Sequence, residues 1–167
     1  GENLEALVPH LPVEMRNMSG LRHNFGHLGL DPLQHSFIAL QVFDASPALS
    51  ELKALTLGGD AACDEVVRSA ILYHDLGKKL EPFDPCHAGL SGPMAEFHLR
   101  SMGYNDVETA VIRRLTETHD VMGRIKKGEI SCLQGYHALC HGLPESVSRE
   151  TLIKLHCEVA GADIASI

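Results

Sequence analysis

A chain of 167 residues, 44% apolar and 22% charged, is long enough to bury one core and has the balance of a globular domain, which excludes a disordered or fibrous class. Its net charge of −8 argues against duplex nucleic acid as the main partner, since that partner needs a basic footprint, and suits a protein that gathers cations. No apolar run approaches the roughly 18 residues of a membrane span, and Gly1-Glu2-Asn3 does not open a basic-then-apolar leader.

Helical periodicity runs almost throughout, without strict alternation, so the expected fold is all-α: a compact bundle of six to eight helices. The whole of residues 1–167 is read as one domain, of a kind that a longer protein can carry. Asp31-Pro32 is an N-cap with proline at the first helical position, and it predicts a helix to about Phe43 with His35, Ile38, Ala39 and Val42 on one face. A short helix from Ser46 to Leu57 is expected to stop at Gly58-Gly59. Asp60 is read as the cap of a helix to about His74, striped by Val67, Ala70, Ile71 and His74. Pro82, Pro85 and Gly89 mark a loop from Gly77 to Leu90, after which Ser91 starts a helix that Gly103 ends.

Asn105-x-x-Glu108 has the form of a capping box and predicts a helix to about Asp120, with Val111, Leu115 and His119 on one face. A polar loop is expected around Gly123–Gly128, then a helix from Glu129 to His141. The last helix starts near Ser148 and aligns Leu152, His156, Val159 and Asp163.

Eleven histidines outnumber the tyrosines and phenylalanines together, and they are too dispersed for a purification tag. Five cysteines, an odd number with no Cys-x-x-Cys pair, read as reduced thiols of a cytoplasmic protein. The strongest local pattern is His74-Asp75-Leu76-Gly77-Lys78 at the end of an apolar helix. Burying a carboxylate there is costly unless it is paired or bound to a metal. Imidazole beside carboxylate offers a borderline nitrogen and a hard oxygen, a mixture suited to Fe, Mn, Co, Ni, Zn or Mg rather than to a closed thiolate zinc site. Two neighbours cannot fill a coordination sphere. His35, His119 and Asp163 each fall on an apolar stripe, and His87 lies in the loop after the pair, so several helices can converge on one internal site.

The order His35, His74-Asp75, Asp163, with His74-Asp75-Leu76-Gly77-Lys78 at its centre, resembles the HD superfamily of metal-dependent phosphohydrolases. His87 and His119 resemble the added ligands of its two-metal members. The stretch from His27 through Asp31 to His35, and the spacing from His74 through His87 to Glu117-Thr118-His119-Asp120, look like the HD domain of tRNA nucleotidyltransferases. The resemblance extends over roughly residues 12 to 165. It departs from the cyclic-dinucleotide branch, because Asp120 replaces the second histidine of a tandem and no Gly-Tyr-Pro element is present.

The resemblance implies that His35, His74, Asp75 and Asp163 hold a first divalent metal, with Asp75 bridging to a second one completed by His87 and His119. It also implies catalytic roles for Asp75 and for Lys78, the latter as a point charge on phosphate. The substrate implied is a nucleotide or other small phosphoester. Two other functions stay open on the sequence: an HD-fold oxygenase with a mixed-valence di-iron centre, and a regulatory module of a larger nucleotide-processing enzyme.

Weaker signals complete the reading. His23, His27 and His98 are candidate outer donors or plain surface residues, and His156 is a candidate pocket residue. His137, Cys140 and His141 are spaced like zinc ligands but lack a completing cluster. Arg124, Lys126 and Lys127 form a short basic stretch able to meet a phosphate, whereas Arg113-Arg114 reads as a solvated helix face.

Overall fold

A computed structural model describes residues 4–21, 29–79 and 86–167. His23, His27, Pro82 and Pro85 lie outside these described residues. The fold is all-α. Its helices are α1 (Leu4–Leu7), α2 (Val13–Arg16), α3 (Pro32–Asp44), α4 (Leu49–Leu52), α5 (Cys63–Tyr73), α6 (His87–Ser101), α7 (Asp106–Glu117), α8 (Val121–Lys126), α9 (Cys132–Cys140) and α10 (Arg149–Ala165). Among the described residues the only β pairing is an isolated bridge between Thr56 and Ala62.

Local chemistry explains the best-defined starts. Asp31 and Gln34 close a reciprocal capping box on α3, Asn105 and Glu108 do so on α7, and Ser131 and Gln134 on α9. Ser148 caps α10 through the Thr151 amide. Each box satisfies amides that would otherwise lack partners at a helix end.

Several boundaries differ from the sequence reading, each for a visible reason. Asp60 does not cap α5: Ala61 N donates to the Glu108 carboxylate and Cys63 N to the Leu55 carbonyl, which keep the chain extended until Ala62. The same bridge at Thr56 stops α4 early, so the expected Ser46–Leu57 helix is one turn only. The start of α6 is His87, not Ser91; Ser91 is an interior residue whose Oγ donates to the His87 carbonyl. The expected polar loop at Gly123–Gly128 is instead mostly α8, closed by Gly128 at φ +73°. The α7 helix ends at Glu117, so His119 sits in the turn beyond it.

The core forms around α5, which packs against α3, α7 and α10, while α6 covers α7 and the 3-10 turn Leu76–Lys79. Phe43, Val67, Ile71, Leu115 and Leu155 are buried at its centre. Full burial of such side chains contributes about 1.5–3 kcal/mol each relative to leaving them in water. This packing brings the facing sides of α3, α5 and α10 and the chain just beyond α7 to one point.

Candidate metal centre

His74 is the residue that ends α5, and Asp75 follows in the turn that leads into Leu76–Lys79. Both side chains are 1% exposed, so neither acts as an ordinary solvated group. His35 comes from the first turn of α3, His119 from the turn after α7, His87 from the start of α6 and Asp163 from the last turns of α10. All six sequence-predicted ligands therefore meet. Their side chains are nearly all buried; His87 and Asp163, at 13% and 19%, form the side that opens to solvent.

The nitrogens are aimed by partners behind them. His74 Nδ1–H donates to the Ile71 carbonyl at 2.6 Å, and His119 Nδ1–H to the Thr116 carbonyl at 2.8 Å. Ser166 Oγ–H donates to the Asp163 carbonyl at 2.6 Å, which leaves the Ser166 oxygen to accept from His35 Nδ1–H at 3.1 Å. Each ring thus keeps Nδ1 engaged and turns Nε2 towards the shared centre, the arrangement that fixes metal-binding imidazoles.

The opposing atoms are carboxylate oxygens. His35 Nε2 lies 2.7 Å from Asp163 Oδ1, a distance that a shared proton or a bound cation explains and two lone pairs do not. His74 Nε2 lies 3.4 Å from Asp163 Oδ1 and 3.5 Å from Asp75 Oδ2, and makes a hydrogen bond with neither. His87 Nε2 and His119 Nε2 stand 3.3 and 4.0 Å from Asp75 Oδ1. A buried ring nitrogen aimed between two carboxylates with no hydrogen bond fits a divalent ion.

Two groups have ligand atoms all within 4.8 Å of one another: His35, His74 and Asp163, and His74, Asp75 and His119. The residue common to both is His74, whereas the family resemblance gives the bridging role to Asp75. Lys78, itself buried, donates to Asp75 Oδ2 at 2.7 Å and occupies that oxygen. His87 stands outside both groups but within reach of Asp75.

The electrostatics of the site follow from its closeness. Burial lowers the His74 pKa, but the negative charges of Asp75 and of the nearby Asp163 override it and raise the value to about 9. Burial raises the Asp163 pKa, yet His35 and His74 pull it well below the ordinary carboxylate range. His119 is shifted down, first by burial and then by the positive charge of His74. The cluster demands positive charge and accepts it on one ring at the expense of the next.

Gly77 is the close-contact point that builds this geometry. A Cβ there would collide with the His87 carbonyl oxygen, and Gly77 N donates to Ser91 Oγ at 2.7 Å. The turn after Asp75 and the start of α6 can approach only because residue 77 has no side chain. Above the ligands lies a cavity of about 660 Å3, with Lys78, Arg124 and Lys127 in its wall.

The weaker candidates separate cleanly. His156 is buried, and its Nε2–H donates to the Thr118 carbonyl at 2.8 Å, so it secures the turn that carries His119 rather than lining the cavity. His98 pairs with Glu14 at 2.9 Å and stacks on Tyr73, away from the centre. His137, Cys140 and His141 do not form a close ligand group among the described residues. Ser166 is a member of the candidate site that the sequence reading missed; it stands 131 positions from His35, and no local pattern links the two.

Comparison of the chain with protein-family models, with curated proteins and with solved structures gives no match in any of the three.

Proposed function

We propose that the chain is a metal-dependent phosphoric ester hydrolase, a phosphatase or phosphodiesterase acting on a nucleotide or another small phosphoester. The observation that carries this reading is the buried His74 Nε2, without a hydrogen bond and aimed between Asp75 and Asp163, with His35 and His119 presenting the same nitrogen beside it. The resemblance of His74-Asp75-Leu76-Gly77-Lys78 and its flanking ligands to the HD superfamily supports it further.

His35, His74 and Asp163 would hold one divalent ion, and Asp75, His119 and His87 a second, with Mn, Fe, Ni, Mg, Co and Zn all compatible with this nitrogen and oxygen set. Such ions would polarise a phosphoryl oxygen and lower the pKa of a bound water. Lys78 offers a buried positive charge to the phosphate. Asp75 orients His87 and His119 on one oxygen and Lys78 on the other. In the hydrolysis the water oxygen forms a new bond to phosphorus and the ester P–O bond breaks. The leaving oxygen keeps the bonding electrons and gains the proton that the water gives up.

No helix among the described residues is long and apolar enough to cross a membrane, and Cys63, Cys132, Cys140 and Cys157 carry free thiols. Free thiols support a reducing compartment, and we place the activity in the cytoplasm on that basis.

The test is to purify the protein without added metal, determine its metal content, and assay p-nitrophenyl phosphate and bis(p-nitrophenyl) phosphate with Mn, Mg, Ni and Fe. Metal-stimulated cleavage is expected, and His74→Ala should abolish it while keeping a helical circular-dichroism spectrum. Two irons per chain with no hydrolysis under any metal would point to oxygen chemistry instead. Failure to bind any divalent metal would remove the centre altogether.

A further inference from the structure

We infer that the cavity above the ligands recognises a small organic bisphosphate, with one phosphate over the His/Asp floor and a second held by Arg124 and Lys127. The placing of the first phosphate rests on the hydrolase reading; the second does not. Arg124 lies in α8 and Lys127 is the residue that caps it, three positions later, so both side chains leave one side of the helix. Both line the cavity whose floor includes Asp75, His119 and Asp163.

Neither cation is committed elsewhere. Lys127 is exposed and makes no ion pair among the described residues, and Arg124, with its side chain 45% exposed, stands 3.6 Å from Glu129 Oε2, a loose contact that a phosphate can replace. Asp120 and Glu129 share the rim, so it is not a uniform basic surface that any polyanion would coat. Apart from Lys78, which is paired with Asp75, the lysine and arginine charge of the cavity wall is confined to Arg124 and Lys127.

The remaining wall is of a different kind. Ile164 and Ile167, 53% and 50% exposed, present apolar surface to the same cavity at the end of α10. Exposed isoleucines beside a polar floor suit a ligand whose middle part is an apolar or aromatic group. The volume of about 660 Å3 lies in the range of about 300–1,000 Å3 that encloses a small molecule. A nucleoside carrying two separate phosphates satisfies floor, rim and wall together.

The experiment titrates the Mn-loaded full chain with 5′-AMP and with adenosine 3′,5′-bisphosphate, by calorimetry, and follows phosphate release from each. The bisphosphate is expected to bind about tenfold more tightly, the scale of one well-placed charge-assisted contact. In the Arg124→Ala/Lys127→Ala double variant that advantage should vanish, while affinity for 5′-AMP changes by less than about twofold, as exposed charges allow. Added salt should weaken the bisphosphate more than 5′-AMP. Equal affinity for the two nucleotides, equal loss in the double variant, or no binding of either overturns the inference. Tight bisphosphate binding without phosphate release overturns the hydrolase reading and leaves the second-phosphate site standing.

Discussion

Along the outer side of α6 and α7, Arg100 joins Glu96 and Asp106, and Arg113 joins Glu96 and Glu117. At the meeting of α3, α5 and α10, His35, His74 and His119 face Asp75 and Asp163. Both regions gather acids and bases within 4.0 Å of one another, yet they differ in what completes them. On the surface each carboxylate has a guanidinium, the pairs are wet, and the arrangement is finished; hydrogen bonding from Arg100 lowers the Glu96 pKa and, with Arg113, outweighs the opposing effect of burial. In the interior the bases are imidazoles whose Nδ1 protons are already engaged with Ile71, Thr116 and Ser166, so their inner nitrogens are turned towards carboxylates at one shared centre. The first region is complete as it stands, and the second is the donor set we propose for a divalent cation. Counting charges would rank the two alike; asking where each proton sits separates them.

The sharpest way to break the contrast is to alter the interior. Asp75→Asn should leave the helical spectrum in place and remove metal binding, read by elemental analysis after dialysis; full metal content in that variant would show that the cluster is only a buried hydrogen-bond network. Gly77→Ala acts on the support instead. Its new Cβ meets backbone at His87, so a loss of about 1–3 kcal/mol in urea unfolding is expected, with weaker metal binding alongside. An unchanged midpoint would mean that the start of α6 shifts freely. Ser166→Ala removes only the partner behind His35, and metal affinity should fall about tenfold, as for other groups that orient a ligand.

A smaller effect comes from His156. Burial lowers its pKa in the folded protein, against the opposing pull of the Thr118 carbonyl and Asp120. Since the unfolded value is about 6.5, the unfolded chain takes up this proton first as pH falls. The contribution to stability is therefore intact above pH about 6.5 and lost below it. Thermal melts of wild type and His156→Gln across pH 5 to 8 should show the wild type losing the steeper share on the acid side; parallel curves would exclude the residue as the source. The least response belongs to the surface. Arg113→Ala should cost less than about 1 kcal/mol, shrink with added salt, and leave metal content untouched.

The helical class and the capped starts at Asp31, Asn105 and Ser148 were legible because caps and periodicity are local chemistry. That His35, His74, His119 and Asp163 come together was legible too, from polar side chains on apolar stripes. What could not be read were contacts set by tertiary approach: the tie from Ala61 to Glu108 that delays α5, the use of Ser91 as an interior bridge, and the helical turn in place of a loop at Val121–Lys126. The sharing of His74 between both close groups belongs with these, since it depends on interatomic distances and not on residue order. Stripe membership also misplaces His156, which points to a backbone carbonyl on the far side of the same turn.

His35 and Asp163 meet across 128 positions of chain, and Ser166 closes behind them. On a ribosome, where the amino-terminal part emerges first, the first half of the centre therefore exists long before its counterpart has been made. On the proposed metal-binding reading, loading would require completed synthesis: a nascent chain stopped short of α10 offers His35 and His74 without the carboxylate that joins them. Metal occupancy would then report, in a cell, how many chains were finished and folded rather than how many were begun.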